Sequence, residues 1–189
     1  KGYGDFVIKP DLDAIRLCPW LPKTALVLCD LLDHHDHSPV PHAPRNMLKT
    51  QIARLSAMKM KAYFASELEF FVFDQSFKSA HEQGYRGLSN PSHLNEDYNL
   101  FQTTKDENVM RAIRNGLYGA GVVVENSKGE AWAGQEEINV SQACLQGDCT
   151  GARSIADLYG QVELHRRWKL VAHSPVAMVG GWKDAIVLR

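Results

Sequence analysis

Apolar and polar positions alternate between Tyr63 and Phe73, which predicts a strand: Leu68, Phe70 and Val72 fall on one side and Glu67, Glu69, Phe71 and Phe73 on the other. The pattern before it is helical. Pro44 suits a first helical turn, and Met47, Leu48, Ile52, Leu55 and Met58 recur on one face until near Lys61, the spacing of ordinary helix core. Lys1 to Cys29 interleaves strand-like pieces (Phe6-Val-Ile, Ala25-Leu-Val-Leu-Cys29) with Pro10, Pro19 and Pro22, the pattern of short strands and turns in a small sheet. Gln75 to Leu100 has little periodicity and is rich in turn formers, so most of it is expected to be loop. Thr104 with Glu107 has the form of a capping box, opening a helix through Val109, Met110, Ile113 and Leu117 that Gly119 and Gly121 can stop. Those glycines follow a helix instead of preceding one, so they do not form a phosphate loop. Val122-Val-Val124 begins a strand region leading to Glu130 and Glu137. From Ser141 to Arg189 the pattern lapses, and Asp157 to Trp168 could be a helix yet carries no clear apolar stripe.

Composition narrows the class. A chain of 189 residues with 44% hydrophobic content can bury a core. A formal net charge of −1 without a Lys/Arg stripe points to neither nucleic acid nor an anionic membrane as partner. No apolar run is long enough to cross a bilayer, and Lys1-Gly-Tyr-Gly-Asp5 lacks the apolar region of a signal peptide, so a cytoplasmic location is expected. Cys18, Cys29, Cys144 and Cys149 form no C-x-x-C pair, which favours reduced thiols over a disulfide framework or zinc site. The absence of an initial methionine suggests a fragment.

The candidate chemistry lies in the carboxylates. Glu67 and Glu69 sit side by side on one strand face, where like charge and apolar neighbours both oppose ionisation and a divalent cation would relieve the conflict. Glu130 and Glu137 bring more carboxylates on a second strand-like run, and such a set suits Mg²⁺ or Mn²⁺. The plainer alternative is a solvated strand face, and Glu136 is expected at the surface. His34, His35, His37 and His42 surround Asp33 and Asp36, but Pro39 and Pro41 make this a polar hairpin and not a transition-metal site. Trp132 reads as core or substrate-wall packing.

Together these residues resemble the glutamine synthetase family, in a glutamine-synthetase-like or γ-glutamylpolyamine-synthetase-like branch. The resemblance rests on Ser66-Glu-Leu-Glu-Phe-Phe71, on Asn95-Glu-Asp-Tyr98, on the Met110 to Gly121 helix, and above all on Val124-Glu-Asn-Ser-Lys-Gly-Glu130 running into Gly134-Gln-Glu-Glu-Ile-Asn139. It implies an α+β fold: the end of a β-grasp domain over residues 1–40, then the first half of the catalytic domain, an antiparallel sheet with helices, over 41–140. It also implies ATP-dependent formation of a γ-glutamyl amide from glutamate and ammonia through γ-glutamyl phosphate, in homo-oligomeric rings of the intact parent. Polyamine as acceptor, a non-catalytic protein of the same fold, and a pseudogene product are the alternatives. Carried over, Glu69, Glu130 and Glu137 would hold the metal that positions glutamate, Glu67 would contribute to the metal on the nucleotide phosphates, and Glu125 would touch the nucleotide. No residue is assigned as catalytic, and activity from this chain alone is not expected.

The family pattern stops after Val140. A one-base shift of the back-translated tail can recover a His-x-His segment of the family. Three positions leave no codon choice: Trp168-Lys169 and Trp182-Lys183 each force Gly in the shifted frame, and Met178-Val179 forces Trp. Residues 141–189 are therefore expected to be an out-of-frame, non-family tail, whose His165 and His173 are not the family's histidines.

Overall fold

The structure is a computed structural model, and it describes residues 4–60, 66–140, 170–173 and 185–188. Near the amino terminus, strands β1 (Phe6–Pro10), β2 (Arg16–Leu17) and β3 (Ala25–Asp33) form an antiparallel sheet in the order β1-β3-β2. Pro10 ends β1, Pro19 and Pro22 lie in the turn between β2 and β3, and Leu26, Val27, Leu28 and Cys29 of β3 are buried. This small sheet matches the one expected from the sequence; its identity as the end of a β-grasp domain remains a proposal.

Helix α1 (Pro44–Ala57) starts at the expected proline. Its anchor is polar. Arg45 is buried, forms a close ion pair with Asp11, and lies 3.1 Å from Asp30, while Lys49 reaches Asp30 at 2.5 Å. Burial alone would raise the Asp30 pKa, but Lys49 and Arg45 outweigh it and hold the carboxyl below its ordinary value. The Met47–Met58 stripe departs from the expectation of helix core: Met47 and Met58 are more than half exposed, and Leu48, Ile52 and Leu55 are only half-buried. Polar contacts of the first turns tie α1 to β3, the ion pairs with Asp30 joined by Asn46 Nδ2 donating to Leu31 O at 3.0 Å.

The second sheet runs β5 (Val124–Gly129), β6 (Gln135–Val140), β4 (Ser66–Phe73), β7 (Leu170–His173), with antiparallel neighbours throughout. As the alternation predicts, Leu68, Phe70 and Val72 of β4 are buried, whereas Glu67 is exposed and Glu69, Phe71 and Phe73 are half-buried. The first residues of the expected strand, Tyr63 to Ala65, lie outside the described residues. Gln75 to Leu100 is mostly turns, with one short helix, α2 (Phe77–Glu82). Its last residue opens another, α3 (Leu100–Thr103), which a 3-10 turn over Thr104–Asp106 follows.

Helix α4 (Glu107–Gly119) carries the predicted apolar stripe, and Val109, Met110, Ile113 and Leu117 are buried. They pack with Leu68, Phe70, Val72, Ile138 and Val140 from beneath the second sheet, with Cys18 and Trp20 of the turn between β2 and β3, and with Leu26 of β3. Each such side chain contributes about 1.5–3 kcal/mol by burial, so α4 is the joint between the two sheets. Gly121, at φ +77°, stands just past its end. The capping box does not form. Thr104 donates its hydroxyl hydrogen to Leu100 O at 2.6 Å, and Glu107 instead accepts from Arg111 at 3.1 Å and Arg114 at 2.5 Å. Those guanidinium groups, Arg114 first, hold Glu107 below its ordinary pKa.

Of the tail, two short strands are described: β7 pairs with β4, and β8 (Ala185–Leu188) pairs with β3. The possible helix Asp157 to Trp168, and with it His165, lies outside the described residues. So do Cys144 and Cys149, while Cys18 and Cys29 are buried. No helix among the described residues is long and apolar enough to cross a membrane.

Candidate functional site

Register sets the candidate site. Glu69 of β4 lies directly opposite Glu137 of β6, and Glu137 lies opposite Lys128 of β5. One pleat along, Glu67 is opposite Asn139, and Asn139 is opposite Asn126. Directly opposed residues share a face with Cβ atoms about 4.5–5.5 Å apart, so two polar rows cross the sheet on the side away from α4. Both sides of that sheet are shaped by the chain: α4 takes the apolar face, and the rows of carboxylate and amide take the other.

Glu130 joins these rows from the turn between β5 and β6. Its backbone N–H donates to Gln135 O at 2.7 Å, which closes the hairpin. Lys128 makes a close ion pair with Glu130 and lies 2.9 Å from Glu137 Oε2. Burial pushes the Glu137 carboxyl up, and its hydrogen bond with Glu130 adds to that, while the same hydrogen bond draws Glu130 down. The pair thus favours a proton on Glu137 and charge on Glu130. Lys128 has the reverse balance: burial disfavours its charge, but the hydrogen bonds and charges of Glu130 and Glu137 prevail and raise its pKa. Gln135 donates to Glu69 Oε2 at 2.9 Å and so fixes that carboxylate from the neighbouring strand.

Glu69 lies across the strand pair from Glu137, Lys128 links Glu137 to Glu130, and Glu67 is on the same face; among the described residues, the three carboxylates whose ligand atoms all lie within 4.8 Å are instead Glu96, Asp106 and Glu136. Glu125 stands apart, exposed at the bulge between Val124 and Asn126 and about 16 Å along β5 from Glu130 at strand rise. The donor set is all carboxylate oxygen, with Glu137 buried, a chemistry that suits a hard divalent cation. The histidine-rich turn stays out of the site, with His34, His35, His37 and His42 all exposed. Trp132 is also 70% exposed at the hairpin tip, so it is not core.

Glu136 overturns the expectation of a surface residue. It is fully buried, because β6 is a central strand and the face opposite Glu137 is covered. Its carboxyl meets Glu96 and Asp106, also buried, with one oxygen of each within 4.8 Å of the others. Burial, then the charges of Glu96 and Asp106, push the Glu136 pKa up to about 10. Glu96 in turn accepts from Gly134 N at 2.9 Å. Sequence reasoning missed this trio, along with Lys128 and Gln135. The alternation of Glu136 with Glu137 was its one signal, since neighbours on a strand face opposite ways.

A family model described as the catalytic domain of glutamine synthetase matches residues 41–149, running past Val140. γ-Glutamylethanolamide synthetase GlnA4 of Streptomyces coelicolor is 41% identical over 163 residues, covering 82% of this chain and 35% of that protein. Glutamate-isopropylamine ligase of a Pseudomonas species is 32% identical over 140 residues, covering 74% of this chain and 30% of that protein. The chain spans about a third of the length of the curated relatives it matches. Among solved structures, GmaS in complex with ADP superposes with a TM-score of 0.73 at 21% identity, over 89% of this chain and 37% of that one, which speaks for the fold alone.

Proposed function

The chain belongs to the glutamine synthetase family, and on that footing we propose that it comes from an ATP-dependent ligase that joins the γ-carboxyl of glutamate to a small primary amine. In such a reaction ATP phosphorylates the γ-carboxylate to give γ-glutamyl phosphate and ADP. The amine nitrogen then forms the amide bond as phosphate leaves, and the amine gives up a proton. The observation that carries this reading is the row Glu69–Glu137–Lys128 with Glu130 beside it, an anionic face prepared by the fold.

In this reading Glu69, Glu130 and Glu137 hold a Mg²⁺ or Mn²⁺ ion on the glutamate side, Glu67 contributes to one on the phosphate side, and Glu125 touches the nucleotide. A divalent cation there supplies charge neutralisation between two anions. Gln135 keeps Glu69 turned towards the face. Ammonia is the acceptor in the simplest family reaction. An organic amine is favoured here because two relatives above 30% identity are named for one, a γ-glutamylethanolamide synthetase and a glutamate-isopropylamine ligase. Ring assembly and a cytoplasmic location belong to the same proposal.

The test is phosphate release by the intact protein from ATP, with glutamate and ethanolamine, isopropylamine or ammonium. Release that requires both glutamate and amine, runs fastest with an organic amine and is lost in Glu130→Gln supports the reading. Release independent of amine, or none, contradicts it.

A further inference from the structure

Lys128 stands between two sets of partners. On one side are Glu130, in a close ion pair, and Glu137 Oε2 at 2.9 Å. On the other are Asp97 Oδ1 at 3.7 Å and the Tyr98 ring, whose centroid is 4.7 Å from the ammonium nitrogen. Asp97 Oδ1 is buried and has no hydrogen bond. Its residue is nonetheless well placed, for Asp97 bridges to Gly129 in parallel register, and its N–H donates to Asn95 Oδ1 at 2.8 Å. A shift of the ammonium by about 1 Å would bring Asp97 into hydrogen-bonding range.

We propose that Lys128 is a tethered counter-ion: it neutralises the carboxylate face until a divalent cation arrives, then withdraws to Asp97 and the Tyr98 ring, so that the Asn95–Tyr98 loop sets the metal affinity of that face. The inference rests on reading Glu69, Glu130 and Glu137 as metal ligands. An ammonium and a divalent cation compete for the same oxygens, and their mutual repulsion opposes joint occupancy. Without a second seat the displaced ammonium would lose its ion pairs for nothing. Asp97 offers a carboxylate and Tyr98 an aromatic face, both within reach of a flexible four-carbon stem bearing a point charge. Lys128 acts through the ligands and is thus a positioning residue.

The experiment is calorimetric titration of the intact protein with Mn²⁺, as wild type, K128M, D97N and E69A, each checked for folding by a thermal melt. K128M removes the competitor and should bind Mn²⁺ about fivefold tighter, while D97N removes the second seat and should bind about fivefold weaker. Opposite signs are the signature, since a role confined to folding would weaken both. Unchanged or weaker binding in K128M overturns the proposal. If K128M does not fold, D97N decides, and unchanged or tighter binding there overturns it. E69A separates the two ideas: wild-type binding in E69A removes the metal-site reading and this inference with it. Binding lost in E69A but unchanged in K128M removes only the role of Lys128.

Discussion

Glu69 and Glu137 oppose one another across adjacent antiparallel strands, two carboxyls on one face of the same sheet. Like charges placed so are destabilising unless something neutralises them, and Lys128 Nζ, 2.9 Å from Glu137 Oε2, brings a positive charge to this face. Replacing Glu137 by Gln should therefore leave the metal-free melting temperature unchanged or slightly raised. Mn²⁺ affinity, measured by calorimetry, should fall at least about tenfold as a ligand is lost. A variant that melts much lower would show Glu137 to be structural.

Glu136 gives stability a pH dependence of definite sign. Its carboxyl titrates near 4.5 when unperturbed and is pushed up to about 10 by burial and by Glu96 and Asp106. Between those values the folded chain holds a proton that the unfolded chain has released, so stability is greatest below about pH 4.5 as far as this group is concerned and is lost as pH rises towards 10. The slope is at most about 1.4 kcal/mol per pH unit. Urea denaturation at several pH values should show this decline in the wild type and a flatter profile in Glu136→Gln. Equal slopes in the two proteins would refute the buried neutral carboxyl.

Gly134 tests how tightly the hairpin is built. Its φ is +71°, and a Cβ there would stand 2.7 Å from Asn90 Nδ2 and 2.8 Å from the Val72 carbonyl oxygen. The Val72 contact is backbone held by the Val72 N–H to Gly134 O hydrogen bond at 2.8 Å, so it cannot yield cheaply. Gly134→Ala should cost at least about 2 kcal/mol by chemical denaturation. A loss within about 0.5 kcal/mol, the range of ordinary surface substitutions, would contradict the geometry.

Much of the fold was legible because single-face burial follows simple periods. Leu68, Phe70 and Val72 against Glu67 and Glu69 read directly as a half-buried strand, and Val109, Met110, Ile113 and Leu117 read as a helix face. The convergence of Glu69 with Glu137 needed more, since pairing between strands so far apart in sequence is set by tertiary packing. Glu136 is buried where a surface residue is expected, because a central strand covered by structure on its second side buries both faces. Thr104 failed as a cap because its hydroxyl found Leu100 O first. The Met47–Met58 stripe had the right spacing for core, but Arg45 and its two aspartates provide the anchor instead. Lys128 was invisible as a site residue because its role depends on which carboxylates the register brings beside it.

The tail yields a prediction at the level of the gene. If residues 141–189 are translated out of frame, the transcript read one base later from near the codon of Val140 should encode the family's His-x-His segment, with Gly forced at the Trp168-Lys169 and Trp182-Lys183 codons. Sequencing the transcript from the codon of Gly134 to that of Arg189 checks it. Stops or an unrelated pattern in the shifted frame would make the tail a genuine part of the chain.

The central claim is that Glu69, Glu130 and Glu137 form a divalent-cation face, and anomalous diffraction from crystals soaked in Mn²⁺ tests it most directly. The account predicts a Mn²⁺ peak among those three carboxylates, absent from crystals of Glu69→Ala. A peak among Glu96, Asp106 and Glu136 alone, or none on the Glu69–Glu137 face, would contradict it.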